Sequence, residues 1–304
     1  MLNRYQESAH KLGSEVFLTF IADENPSDLF KMVWDTIDDF EDRFSRFKPY
    51  SELSLLNLKP GEKFESSREF VDIIQLSNDF TKSTKGAFNP LILPSLQTVG
   101  YVSSWPNPSA KSLSQLDYRA RDGKLVDNIL VNKNYVTIPP NTALDLGGIG
   151  KGYLLDKLDK LLPKLGVKNF LISLGGDIRC SGSDLNMEGW TVGIANVSDG
   201  KTDVDQIKLA GVKKYTSVAS SGVTKRKGPG WHHIIDPKTG LSSESDVVMS
   251  SVMSTDGVTS DILAKVLLIV GSQAAEEIAK DFDIGYLLQV ATPNEIRIIK
   301  NNWD

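Results

Sequence analysis

Hydrophobic and polar positions along the chain fall into strand-like and helix-like stretches whose order predicts the architecture. Ser14 to Ile21 alternates in the manner of a strand, and Asn25-Pro26-Ser27-Asp28 then supplies a helix start. Leu29, Phe30, Val33, Trp34, Ile37, Phe40, Phe44 and Phe47 follow at helical spacing, which predicts a helix that buries an aromatic-rich face and breaks at Pro49. The stretch from there to Ser54 reads as polar and turn-like. A second helix is predicted from about Arg68 to Thr84, closed by Lys85-Gly86. Residues 85–110 carry prolines with little periodicity, and their apolar content (Phe88, Leu91, Ile92, Leu93, Leu96) predicts an ordered, packed loop.

Further along, Ile129-Leu130-Val131 and Tyr135-Val136-Thr137-Ile138 flank Asn132-Lys133-Asn134 and read as a hairpin. The second of these runs, with Ala143-Leu144, predicts an apolar strand leading into Asp145-Leu146-Gly147-Gly148-Ile149-Gly150-Lys151-Gly152. Leu154, Leu155, Leu158, Leu161 and Leu162 then recur at helical spacing, so the order is strand, glycine turn, helix over 149–165. Phe170 to Leu174 is a short buried strand ending in Gly175-Gly176-Asp177. Short strands are expected near 190–195, 206–210 and 215–220, a longer one over 247–253, helices over 258–270 and 273–282, and two closing strands near 285–291 and 295–300. Strands and helices mix without strict βαβ alternation, so the predicted class is α+β, mixed sheets with packed helices. No repeat or linker divides the chain. Residues 12–304 are expected to form a single domain of two intimate subdomains, with 1–11 a short N-terminal extension.

Composition narrows the function. Of 304 residues, 40% are hydrophobic and 24% charged, as in ordinary globular proteins, and the formal charge of −5 argues against nucleic-acid or membrane-surface binding. One cysteine, Cys180, excludes an intramolecular disulfide, and three histidines (His10, His232, His233) leave little for a zinc centre. No apolar h-region opens the sequence and no long apolar stretch follows, so a cytoplasmic protein without a membrane anchor is expected.

The glycine turn admits two readings. Glycines permit positive φ and close ligand approach, and a helix start offers unpaired N–H groups to a phosphate; a plain tight strand-to-helix turn serves equally well. The spacing matches neither the phosphate loop of nucleotide hydrolases nor the dinucleotide fingerprint. His232-His233-Ile234-Ile235-Asp236-Pro237-Lys238-Thr239-Gly240 offers a general base, although strand alternation sends the two histidines to opposite faces, and a surface pair is the bland alternative. Ser220-Ser221-Gly222 and Gly175-Gly176-Asp177 end strands, where they bind phosphate or simply turn the chain. Ser260 or Asp261 reads as a helix N-cap, and Cys180 as a small core residue.

Together these segments resemble the FAD:protein FMN transferase (ApbE-like) family, in the right order from about Leu12 to Gly271. The resemblance is carried by Leu12-Gly13-Ser14, Phe44-Ser45-Arg46-Phe47, Ser51-Glu52-Leu53-Ser54-Leu55-Leu56-Asn57, Phe88-Asn89-Pro90, the 145–152 turn, Gly175-Gly176-Asp177, Ser220-Ser221-Gly222, His233 to Gly240 and the helix at Asp261. It implies an enzyme that cuts FAD at its pyrophosphate, releases AMP and joins FMN through phosphate to a threonine hydroxyl of an acceptor flavoprotein. It assigns His233 the role of base, and Ser51, Glu52, Leu53, Asn89, Asp145, Gly148, Lys151, Gly176, Asp177, Ser221 and Ile235 to the dinucleotide pocket. A Mg²⁺ ion is implied at Gly150, Asp261 and the position of Lys265. Lysine stands there in place of the family's threonine, and an ammonium cannot ligate a cation. An FAD-binding protein without turnover and an FAD pyrophosphatase are the alternatives.

Overall fold

The structure, a computed structural model, describes residues 1–102, 129–211 and 213–303. Residues 103–110 of the predicted loop lie outside the described residues. The chain opens with β1 (Asn3–Lys11), β2 (Ser14–Ala22), α1 (Ser27–Phe44), α2 (Glu52–Asn57), β3 (Phe64–Glu65), α3 (Arg68–Ser83) and α4 (Leu93–Val99). It continues through β4 (Leu130–Asn132), β5 (Tyr135–Thr137), α5 (Gly150–Leu161) with a 3₁₀ turn at Leu162–Leu165, β6 (Phe170–Leu174), β7 (Asp177–Ser181), β8 (Trp190–Ala195), β9 (Asp203–Leu209) and β10 (Ser217–Gly222). Four two-residue strands follow, β11 (Lys227–Gly228), β12 (Trp231–His232), β13 (Ile235–Asp236) and β14 (Leu241–Ser242). The chain closes with β15 (Val247–Ser254), α6 (Gly257–Val270), α7 (Ser272–Lys280), β16 (Gly285–Ala291) and β17 (Ile296–Asn301).

These elements form two compact units. The first comprises Met1–Asp39, Lys151–Gly222 and Asp246–Asp304. Its frame is an antiparallel sheet in the order β1-β2-β6-β7-β10-β15-β16-β17. Helix α6 lies along β10 and β15, and it is apolar nearly all round: Val258, Ile262, Leu263, Ala264, Val266, Leu267 and Leu268 are all buried. A helix of that composition has no solvent face to offer and belongs inside. The hairpin β8–β9 contributes Trp190, Val192, Ile194, Ile207 and Leu209 to a second apolar cluster with Cys180, Val218, Met253 and Leu287.

The second unit comprises Phe40–Gly150 and Val223–Ser245. Among its described residues, helix α3 is capped by Ser67, whose Oγ accepts the Phe70 N–H, and buries Phe70, Val71, Ile73 and Ile74. Its described residues also include a small sheet β3-β5-β4 and the hairpins β11–β12 and β13–β14. Leu96, Tyr101 and Ile235 form a buried cluster, with Ile92, Val99 and Trp231 packed against it.

Several features depart from the sequence expectations, beginning with α4 (Leu93–Val99), a helix with Pro94 in its first turn inside the stretch read as a packed loop. Residues 3–11 form a full strand paired with β2 from Asn3↔Ala22 to Lys11↔Ser14, turned by Leu12 and Gly13 at φ of 56° and 64°; as a largely exposed edge strand it carries no apolar alternation to read. The turn-like stretch before Leu55 instead contains α2, because Ser51 accepts the Ser54 N–H at 3.0 Å and starts a helix. No strand covers Ala143-Leu144: β5 ends at Thr137, Pro139 and Pro140 follow, and residues 138–149 are irregular up to the first turn of α5.

Candidate active site

The glycine turn is held by Asp145. Its N–H donates to the Pro90 carbonyl at 2.8 Å, its Oδ1 accepts the Gly147 N–H at 2.8 Å, and its Oδ2 pairs with Arg46 Nε at 2.8 Å. The Gly150 N–H donates to the Leu146 carbonyl at 2.7 Å and leads the chain into α5. None of Gly147, Gly148, Gly150 and Gly152 adopts a left-handed φ, so positive φ is not the reason for these glycines. The reason at Gly152 is space. A Cβ there would lie 2.8 Å from Val258 Cα, and a Cβ on Gly257 would lie 2.6 Å from the Gly152 carbonyl oxygen.

That close approach brings α5 onto the start of α6 and assembles a charged cluster. Asp156 accepts the N–H groups of Gly257 and Val258 at 2.6 and 3.0 Å, and its burial pushes its carboxyl up to about 6 despite those bonds. Asp261 Oδ2 accepts the Gly152 N–H at 3.0 Å, while Oδ1 pairs with the Lys265 ammonium, which also donates to the Asp261 carbonyl at 3.0 Å. Neither Ser260 nor Asp261 caps α6. Asp256 does, accepting the Thr259 N–H at 2.7 Å, which leaves Asp261 one turn further in. Asp177, at the start of β7, pairs with Lys151 through Oδ2 and accepts the Ser220 N–H through Oδ1 at 3.2 Å. Burial pushes the Asp177 carboxyl above its ordinary range against the pull of Lys151; the Asp261 charge adds to the rise and Lys265 opposes it. Lys151, Asp177, Asp261 and Lys265 therefore belong to one electrostatic group.

Gly175 and Gly176, both at positive φ, make the tight turn from β6 that delivers Asp177. Ser221 lies on β10 opposite Ser250 of β15 and is half-buried.

In the second unit, Arg46 is the organising residue that sequence reasoning did not single out for the site. Besides Asp145, its guanidinium donates to the Tyr101 carbonyl at 3.0 Å and stacks over the rings of Phe47 and Tyr101, 4.1 and 4.8 Å from their centroids. The Tyr101 ring meets that of His233 edge-on, centroids 6.2 Å apart. A single arginine between two aromatics at a helix end was the available signal; nothing in the pattern pointed to Tyr101. His232 and His233 are separated by use. The His232 Nε2–H is placed to donate to the Ser243 carbonyl at 3.0 Å, and burial lowers the pKa of that ring against the effect of this bond. His233 is anchored by its N–H to the Arg226 carbonyl at 3.1 Å, with its ring against Tyr101. Ile235 is buried beside Tyr101 and Leu96.

The remaining predicted pocket residues have visible structural duties. Ser51 caps α2, Leu53 is fully buried, and Glu52 grips the start of α3 through Oε1 to the Ser67 N–H at 2.6 Å and Oε2 to the Ser67 hydroxyl at 2.7 Å. Arg43 joins that network through Glu69 at 2.7 Å. Asn89 is buried and its Oδ1 accepts the Leu91 N–H at 2.9 Å. Gly148 sits in the turn before α5.

A magnesium ion does not fit these residues. Both Asp261 carboxylate oxygens and its carbonyl are engaged by N–H donors, and the neighbouring side chain is an ammonium with no lone pair to give. Among the described residues, no group of three or more His, Cys, Asp or Glu side chains could hold a metal.

Antiparallel sheet, inserted α+β unit and the glycine-turn cluster define a mixed α+β protein of flavin transferase fold. Residues 12–288 match the ApbE family, and the chain belongs to it. It is 26% identical over 271 residues to the FAD:protein FMN transferase of Haemophilus influenzae, covering 85% of this chain and 77% of that one. The Klebsiella pneumoniae protein of the same name is also 26% identical, with 88% and 83% covered. The structure superposes on flavin transferase ApbE from Vibrio cholerae with a TM-score of 0.86 at 22% identity, covering 99% and 98% of the two chains. For the ApbE protein of Thermotoga maritima the TM-score is 0.83 at 23% identity, covering 99% and 97%.

Proposed function

We propose that this chain is an FAD:protein FMN transferase, taking FAD and an acceptor flavoprotein and releasing AMP. Family membership over most of the chain supports the reading. The observation that carries it is Lys151, an ammonium in the first turn of α5 fixed on the buried Asp177. A positive charge held in place at a helix start suits a pyrophosphate, because no reorganisation is needed when charge develops on its oxygens.

In the proposed reaction the acceptor threonine Oγ forms a bond to the phosphorus of the FMN half and the P–O–P bridge breaks. AMP leaves with the bridging electron pair, and the hydroxyl proton passes to His233. The ring of His233 is held against Tyr101, which restricts the directions in which it can accept that proton. Ser51, Glu52, Leu53, Asn89, Asp145, Gly148, Gly176, Ser221 and Ile235 are proposed around the dinucleotide, with Ser51, Glu52, Leu53 and Asn89 shaping the pocket through the caps and turns they hold rather than through free side chains. No nucleic acid or membrane is a proposed partner; no helix among the described residues is long and apolar enough to cross a membrane. A cytoplasmic location is the sequence-based expectation that goes with this reading.

The test is incubation with FAD and a threonine peptide library, followed by mass spectrometry. AMP together with an FMN-sized adduct supports the transferase. AMP without an adduct replaces it with a pyrophosphatase, and FAD bound but intact replaces it with a binding protein, the reading favoured by the Lys265–Asp261 pair.

A further inference from the structure

We propose that Lys265 is a resident cation standing in for a divalent metal, so that this chain recognises its phosphate-bearing ligand without magnesium. The inference rests on the proposed function only in taking that ligand to be FAD.

The geometry is that of an occupied site. The Asp261 side chain is 1% exposed and that of Lys265 17%. Their pairing at i and i+4 on α6 is reinforced by the bond from Nζ to the Asp261 carbonyl. The second carboxylate oxygen is spent on the Gly152 N–H, so a metal entering beside Asp261 would have to displace either the ammonium or the contact that joins α5 to α6. Charge leads to the same conclusion. Asp177 and Asp261 carry two negative charges and Lys151 and Lys265 two positive ones, with the Asp177 side chain 2% exposed. These four charges already balance. A divalent ion would leave a double positive charge in a poorly solvated place, beside an ammonium it repels.

That balance does not prevent the cluster from acting on an anion. A lysine ammonium has three donors, and Lys265 spends two of them on Asp261. The third gives a phosphate oxygen a charge-assisted hydrogen bond of the kind that a metal would replace with a coordination bond. Because the ammonium is covalently part of α6, it is present at every magnesium concentration.

Two measurements on the full chain test this. Mn²⁺ titration of the protein without FAD, followed by electron paramagnetic resonance, should show no stoichiometric site in wild type and one in Lys265→Thr, where an oxygen replaces the ammonium and Asp261 is released. FAD affinity, followed by flavin fluorescence, should be equal within about twofold in Mg²⁺ and in EDTA for wild type, and fall about tenfold in EDTA for the variant. A stoichiometric Mn²⁺ site in wild type, a loss of FAD affinity in EDTA, or a Lys265→Thr protein that gains no metal site would each overturn the proposal. If Lys265→Thr fails to fold, Lys265→Gln replaces it and the wild-type measurements still decide. A wild-type chain that binds neither FAD nor Mn²⁺ would refute the flavin reading, while the variant's Mn²⁺ titration would still report on Lys265.

Discussion

Gly152 and Gly257 meet backbone against backbone, each occupying the space a side chain on the other would need. Gly152→Ala should therefore cost about 2–4 kcal/mol, since the obstruction is backbone that cannot swing aside. Gly150→Ala, two residues away, should change stability by less than about 1 kcal/mol, because its Cβ would rest 3.7 Å from the Phe40 ring in ordinary contact. Chemical denaturation of the two variants checks the contrast, and equal losses would refute it.

Asp156 makes stability depend on pH. Burial raises its carboxyl from the ordinary 3.8 to about 6 in the folded chain. Between those values the folded state holds a proton that the unfolded state has released. The contribution is thus fully present below the unfolded pKa and lost as pH rises through about 6. The span of about two units corresponds to about 3 kcal/mol. Asp156→Asn cannot titrate, so the stability difference between wild type and variant should shift by that order between pH 4 and 7, wild type gaining on acidification. A difference that stays flat with pH would show that Asp156 is not the group responsible.

Arg46 and Asp145 form a pair with side chains only 7% and 11% exposed. Arg46→Met removes one partner and leaves the buried Asp145 carboxylate without a countercharge, at a cost of about 3 kcal/mol. Asp145→Asn keeps an acceptor for the Gly147 N–H and should cost less. Urea unfolding of both variants gives the order, and the reverse order would place the stabilisation elsewhere.

His233→Ala should abolish FMN attachment while FAD affinity stays within about threefold, because a base acts on the acceptor hydroxyl rather than on the bound dinucleotide. His232→Ala should chiefly lower the melting temperature through loss of its bond to the Ser243 carbonyl. Labelling that survives in His233→Ala would remove that residue from the proposed mechanism.

Long periodic segments were legible in the sequence because a single physical pattern determines them. The predicted helix at 258–270 and the strands near 190–195 and 285–291 fall within a residue or so of α6, β8 and β16. The hairpin around Asn132-Lys133-Asn134 is likewise where its turn residues put it. Elements fixed by contacts distant in sequence were not legible. β1 is a strand because β2 lies beside it, and α2 exists because Ser51 caps it and Glu52 ties its first turn to Ser67.

The same division runs through the candidate site. His233, Lys151 and Asp177 stood out in glycine- or turn-rich segments as candidates, whereas Asp261 read as a helix N-cap and entered only through the family resemblance. The roles of Gly152 and Asp156 did not stand out, since each is defined by Gly257, about a hundred residues away. Tyr101 reaches His233 and Arg46 only through the fold.

Cys180 is fully buried on β7, its Sγ–H directed to the Thr216 carbonyl at 3.6 Å, and burial pushes its thiol up to about 12. Only thiolates react readily with maleimides and oxidants, and this sulfur is the one thiol in the sequence. The folded chain should therefore react slowly with thiol reagents, and a probe can be attached without removing this cysteine. A cysteine introduced at Leu58, which is 75% exposed, would carry a fluorophore or spin label at a single known address, ready to report ligand arrival without touching the residues proposed to bind it.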